Sequence, residues 1–320
     1  MISEKALITI TVCVITVTTS LNRFYSKNYD FAPSKFVLLV EMTKFILMSS
    51  ILKFKYNVTE MPEPDSRYFL IGSLYVMANT ILFYIFQNMS AGTFIVLSQQ
   101  RIIWVVLLSS LVLGKKYVNV QWFACFVNLC GVVAVTFQSN NNLDGDNNYV
   151  LLVVVHAFIS ALSSVITEKT MKASDATLEN YFKESYKLYC VGIPVYILGV
   201  IVSGDDRGVP PLVILIQMLL ITSIQGLFIG SIFKFSSAMT RTLIQSVVIV
   251  TITAISRTLV DVDEKLTFKF WIGAVYVFIS IYLFKTPSHE IKWPFVSIGL
   301  LVPLVSLNNN GYITNNLRVT

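Results

Sequence analysis

The chain has 320 residues, 55% hydrophobic and 13% charged, with 24 Lys and Arg against 18 Asp and Glu for a net charge of +6. A soluble protein of this length carries about a quarter charged residues, so an ordinary soluble domain is excluded. The apolar residues form continuous runs rather than ten-residue alternating segments, which excludes a transmembrane β-barrel and points to an all-α integral membrane protein.

Ten spans are expected in chain order, at about 5–24, 36–54, 68–88, 92–113, 117–138, 148–170, 185–204, 212–234, 240–260 and 266–285. The first, "ALITITVCVITVTTSL", is long, is followed by Asn22 and Arg23, and lacks a small-residue cleavage site, so it reads as a helix rather than a signal peptide. The second carries Glu41 and Lys44, three apart and able to pair on one face. Tyr75 and Asn79 lie at depth in the third. The fourth, "FIVLSQQRIIWVVLLSSLVLGKK", carries Gln99 and Arg101, with Arg101 about 14 Å into a hydrocarbon core about 30 Å thick. A guanidinium there cannot shed its proton, and no acid lies near it in its own helix. It must meet a carboxylate on another helix, a water-filled cavity or an anionic ligand. The sixth span ends with Glu168 and Lys169, the seventh begins with Lys183, Glu184 and Lys187, and the junction of the eighth and ninth adds Lys234 and Arg241. Arg257 lies near the end of the ninth.

Residues 1–290 thus form one ten-helix domain. Residues 291–320 form a tail, cytoplasmic or interfacial, whose apolar stretch 293–307 is broken by Pro294 and Pro303. With both termini on one side, that side collects 15 of the 24 basic residues and the other side six, which places both termini in the cytoplasm. The far-side loop "SNNNLDGDN" has two acids and no base. Topology accounts for much of the positive charge without nucleic acid.

Bases outnumber acids at the embedded positions, and a cavity with surplus positive charge suits phosphate. No GxxxxGK[ST] loop, HExxH, catalytic carboxylate pair or Cys/His cluster is present, so neither an ATP-driven pump, an enzyme, a cofactor nor a metal is expected. His156 reads as a lone polar residue at a helix interface or a proton relay. Cys13, Cys125, Cys130 and Cys190 read as small core residues. Gly226 and Gly230 form a small-xxx-small pair suited to close packing within one chain or in a homodimer.

The stretches "TEKTMKASDATL" and "KFSSAMTRTLIQSVVIVTITAISRTL" resemble the nucleotide-sugar transporters of the Golgi and endoplasmic reticulum, and most closely the CMP-sialic acid and UDP-galactose branch. The likeness runs over about residues 5–285. It implies two five-helix halves of inverted topology around a central cavity. "VLLVEMTKF" resembles the family's helix-two Glu and Lys, here Glu41 and Lys44; "LYVMANTILF" resembles Tyr-x-x-Gln-Asn-Asn, giving Tyr75 and Asn79. "LSQQRII" resembles Tyr-Gln-Leu-Lys-Ile, keeping Gln99 and placing Arg101 at the lysine. "SSVITEKTMK" gives Glu168, Lys169 and Lys172, and "FKFSSAMTRTLIQS" gives Lys234 and Arg241. The resemblance implies that Arg101 and Arg241 contact substrate phosphates and that Tyr75 and Asn79 hold the nucleotide. Lys44, Gln99, Glu168, Lys169 and Lys234 complete the candidate site. Departures are Ala78 and Thr80 beside Asn79, Ser237, Ala238 and Thr242 beside Arg241, and Ile95 and Ser98 before Gln99.

The expected activity is exchange of a pyrimidine nucleotide-sugar for the nucleoside monophosphate across a Golgi or endoplasmic reticulum membrane. Two alternatives are the same fold carrying another organic phosphate, and a non-transporting scaffold.

Overall fold

The computed structural model describes residues 4–88, 94, 97–136, 147–255 and 268–286. The loop at 139–146, Ile95, Arg257 and the tail 291–320 lie outside them. Ten helices occur among the described residues. They are α1 (Glu4–Asn28), α2 (Pro33–Lys55), α3 (Arg67–Asn88), α4 (Arg101–Leu113), α5 (Asn119–Thr136), α6 (Asn147–Met171), α7 (Leu178–Ser203), α8 (Leu212–Phe235), α9 (Ala238–Ile255) and α10 (Phe268–Lys285). Six of these, α5 to α10, are long and apolar enough to cross a membrane.

Local chemistry sets the helix ends. Pro33 opens α2, where its missing N–H costs nothing. The Thr177 side chain accepts from the Asn180 N–H and caps α7. Gly114 and Gly204 end α4 and α7 in the left-handed region, at φ of 66° and 57°. One expected helix is interrupted: residues 97–98 are helical, Gln99 and Gln100 form a turn, and α4 starts at Arg101. There the Ile102 and Ile103 N–H groups donate three residues back, to the Gln99 and Gln100 carbonyls.

The chain divides into two compact units, Met1–Lys115 with Leu143–Val248 and Lys116–Asn142 with Ile249–Thr320. In the larger unit α7 packs on both α2 and α3, α6 packs on α3 and α4, and α8 packs on α1 and α2. One end is closed where the loops after α1 and α7 meet. There Ala32 N–H donates to the Gly208 carbonyl, Lys35 Nζ to the Arg207 carbonyl at 2.8 Å, and Arg207 pairs with Asp30 and Asp205. The Arg207 hydrogen bonds hold the Asp205 carboxyl below the usual range. Beneath this closure Phe31, Phe36, Val40, Leu215 and Met218 form one apolar cluster. At the other end Arg67 hydrogen-bonds Asp65 and holds its carboxyl at about 2, and buried Tyr68 donates to Glu184.

The smaller unit is built on α5 against α10. Asn128 Nδ2 donates to Ser280 Oγ at 2.8 Å, and Gln121 Nε2 to the Phe284 carbonyl at 3.2 Å. The helices touch at Gly131 and Gly273: a Cβ on Gly273 would lie 2.5 Å from the Gly131 carbonyl oxygen and 2.7 Å from Val135 N. Backbone atoms cannot swing aside. Gly273→Ala is therefore expected to cost about 2–3 kcal/mol or abolish folded yield, read as the melting temperature in detergent.

Two sequence expectations shift. Cys13 is exposed on α1 rather than in a core, while Cys125 is buried, and all four cysteines are free thiols. The small-xxx-small pair of α8 is filled from within the chain, since Gly226 faces Lys44 and Gly230 faces the Tyr181 hydroxyl.

Candidate functional site

Within the larger unit, α2, α3, α6, α7, α8 and α9 surround a cavity of about 190 Å3. α2 supplies Glu41 and Lys44, which pair as their spacing predicts, with Nζ 2.5 Å from Oε1. The Lys44 ammonium lies 4.9 Å from the centre of the Tyr189 ring, and the absent side chain of Gly226 leaves room for its stem. α3 presents Tyr75 and Asn79, one turn apart on the same face. The Tyr75 hydroxyl lies 3.3 Å from Thr167 Oγ1, and Asn79 Nδ2 donates to the Tyr196 hydroxyl at 3.3 Å. From α9, Arg241 donates to Ser164 Oγ at 2.8 Å and lies 5.1 Å from the Phe233 ring centre.

Arg101, on α4, does not line this cavity but lies within electrostatic range of Arg241 and Tyr75, which do. Its Nε and Nη2 are buried without a hydrogen-bond partner among the described residues. None of the ion pairs among the described residues includes Arg101 or Arg241. Arg101 is also the first residue of α4, whose first turn has no acid, so the cation sits at the positive end of the helix. A helix N-terminus beside a guanidinium that has no acidic partner among the described residues is a strong attractor for an anion. Gln99 is buried at that break. His156, also buried, has its ring 5.6 Å from Phe94 and its Nδ1 without a partner among the described residues.

Of the candidates that do not line the cavity, Glu168 and Lys234 tie helix ends together and Lys169 faces outward. The Glu168 side chain is 1% exposed and accepts from Lys115 Nζ at 2.6 Å, Lys172 Nζ at 2.8 Å and the Ala238 N–H at 2.8 Å. Lys172 reaches on to the Ser236 carbonyl. One carboxylate thus ties the ends of α4 and α6 to the start of α9. Lys169, the next residue, is exposed. Lys234 donates to the Met171 carbonyl at 2.6 Å and to the Ser174 carbonyl and hydroxyl at 2.8 and 2.7 Å, closing the C-terminus of α6.

The departures from the family pattern are taken up by structure. Ala78 is buried against Leu74 and Ile159, and the Ser237 hydroxyl caps α9 by accepting from the Thr240 N–H. Sequence reasoning missed Tyr189 and Tyr196, which line the cavity from α7. Their signal was two tyrosines seven apart with Gly192 between them, all on one face of the helix.

A family model described as nucleotide-sugar transporter matches residues 2–285. The chain belongs to the nucleotide-sugar transporter family. It is a family of multi-pass membrane proteins that move solutes without enzymatic chemistry. The transporter is 27% identical over 276 residues to the "Probable UDP-sugar transporter protein SLC35A4" of Xenopus tropicalis, covering 79% of this chain and 82% of that protein. It is 22% identical over 300 residues to "CMP-sialic acid transporter 2" of Oryza sativa subsp. indica, covering 87% and 83%. Against the "UDP-N-acetylglucosamine transporter" of Rattus norvegicus it is 24% identical over 229 residues, covering 67% and 68%.

Proposed function

We propose that this transporter carries a pyrimidine nucleotide-sugar across a Golgi or endoplasmic reticulum membrane in exchange for the nucleoside monophosphate. The observation that carries the reading is the pair of guanidiniums, Arg101 and Arg241, without an acidic partner among the described residues beside a polar cavity. Both exchanged ligands share a nucleotide and an α-phosphate for these groups to hold. Tyr75, Asn79, Gln99 and Lys44 orient the remainder. Glu168 and Lys234 act in the frame rather than on the ligand, and Lys169 faces away from it. The relatives' names, UDP-sugar and CMP-sialic acid, support a pyrimidine base.

In this reading residues 1–290 form the transport domain with ten crossings and 291–320 the tail. The end bearing the α2–α3 loop and both termini face the cytoplasm, as the basic residues there favour.

The test is thermal stability of the purified protein in detergent against CMP, UMP, GMP and AMP. A shift with one pyrimidine monophosphate, growing with ligand concentration, is expected. A shift with other organic phosphates alone would replace the cargo while keeping the phosphate role. No shift with any phosphate, in folded protein, would remove both.

A further inference from the structure

One face of α6 is polar although the helix as a whole is apolar. His156, Ser160, Ser163 and Thr167 are spaced four, three and four residues apart, so they share that face. Thr167 lines the cavity, its hydroxyl 3.3 Å from that of Tyr75, which makes this the inward face. Ser164, beside the stripe, accepts from Arg241. His156 ends the stripe, about 17 Å along the helix from Thr167.

Two contacts fix how α4 lies on α6. Lys115, just past α4, pairs with Glu168 at 2.6 Å, and the Trp104 ring meets the Phe158 ring edge-on at 5.3 Å. The paired numbers differ by 53 (168 less 115) and by 54 (158 less 104), so the two helices run side by side in one direction and in one register. Carried back to Arg101, that register sets it level with Val154 and Val155, within about 3 Å of the level of His156. Arg101 and His156 are also within electrostatic range of each other.

Neither side chain is satisfied there. Arg101 Nε and Nη2 and His156 Nδ1 are buried without a hydrogen-bond partner among the described residues, so the two do not bond each other. The His156 residue is 9% exposed, and a buried imidazole that serves packing alone normally bonds its nitrogens within the protein. The Phe94 ring, its centre 5.6 Å away, packs on the imidazole but has no lone pair to offer it. Two groups able to donate, at one level of the interior and without acceptors, specify an acceptor from outside the chain. Beside a guanidinium that acceptor is an anion.

We propose that His156 joins Arg101 in holding the phosphate of the ligand, the imidazole donating one hydrogen bond beside the guanidinium. His156 is thereby a ligand-binding residue of α6 and not part of its packing. That the phosphate belongs to a nucleotide rests on the reading above; the anion site rests on the two unsatisfied side chains and their common level.

The test measures binding by the full chain in detergent, as thermal shift against CMP, UMP, GMP, AMP and inorganic phosphate. His156→Phe and His156→Leu remove both ring nitrogens, and His156→Asn returns an amide N–H close to the place of Nδ1. The two apolar variants are expected to melt no earlier than the unaltered chain and to weaken the probe it binds about tenfold or more. The asparagine variant should stay within about threefold of the unaltered chain. Unchanged affinity in both apolar variants overturns the proposal, and so does equal weakening in all three. Binding of inorganic phosphate alone, lost in the apolar variants, supports the anion site and overturns the nucleotide reading. Binding of none of the five by the folded, unaltered chain overturns both.

Discussion

Replacing Arg101 with methionine is expected to make the empty protein more stable and unable to bind its ligand. Two guanidinium nitrogens are buried without a hydrogen-bond partner among the described residues, within electrostatic range of a second guanidinium and at the positive end of α4. An unsatisfied buried group costs about 1–3 kcal/mol, and a methionine of similar length restores that while filling the space. In the proposed function the ligand phosphate offsets this cost, so affinity is expected to fall about a hundredfold or more. Arg101→Lys, which restores the residue type of the resembled motif, should keep most of the binding. Melting curves with and without nucleotide, together with uptake into proteoliposomes, decide the matter. A methionine variant that melts early yet still transports would make Arg101 a structural residue and end its assignment to phosphate.

The second large effect is expected at Glu168, in the opposite sense. Glu168→Ala removes one nearly inaccessible carboxylate and leaves Lys115, Lys172 and the Ala238 N–H without their acceptor. Breaking a fully buried pair costs about 3–5 kcal/mol, but both lysines are about a third exposed and can turn to water. A loss of about 2 kcal/mol in stability is therefore the expectation. Nucleotide affinity of the folded fraction should stay within about threefold, because the carboxylate faces the frame and not the cavity. Unchanged stability with collapsed affinity would put Glu168 on the ligand instead.

Much of this was legible along the chain because it is periodic. The apolar runs marked most helices to within a few residues, but α4 starts at Arg101 rather than at 92 and α7 at Leu178 rather than at 185; the three-residue spacing of Glu41 and Lys44 correctly implied their ion pair. Arg101 stood out because nothing acidic lay one turn from it. The roles of Lys234 and Glu168 were not legible, since their partners at Ser174, Lys115 and Ala238 lie 53 to 70 residues away and only tertiary packing unites them. The same is true of Asn79 and Tyr196, 117 residues apart. Lys169 was not separable from Glu168 in sequence either, because only the packed structure shows which of the two neighbours faces inward. The turn at Gln99 and Gln100 left no Gly or Pro as a signal; two glutamines before an arginine were its only trace.

That turn has a consequence for how the protein is made. From Arg101 to Leu113, α4 covers about 20 Å, well short of the hydrocarbon core, and it opens with a residue that insertion machinery disfavours by about 2.5–3.5 kcal/mol at mid-membrane. Such a segment is a poor candidate for entering the lipid by itself during synthesis. Its buried face, Ile102, Val105, Val106 and Ser109, and the edge-on contact of Trp104 with Phe158 supply the missing affinity once α6 has emerged. Substitutions on the α6 face that receives α4 are therefore expected to show first as failed biogenesis rather than as slow transport.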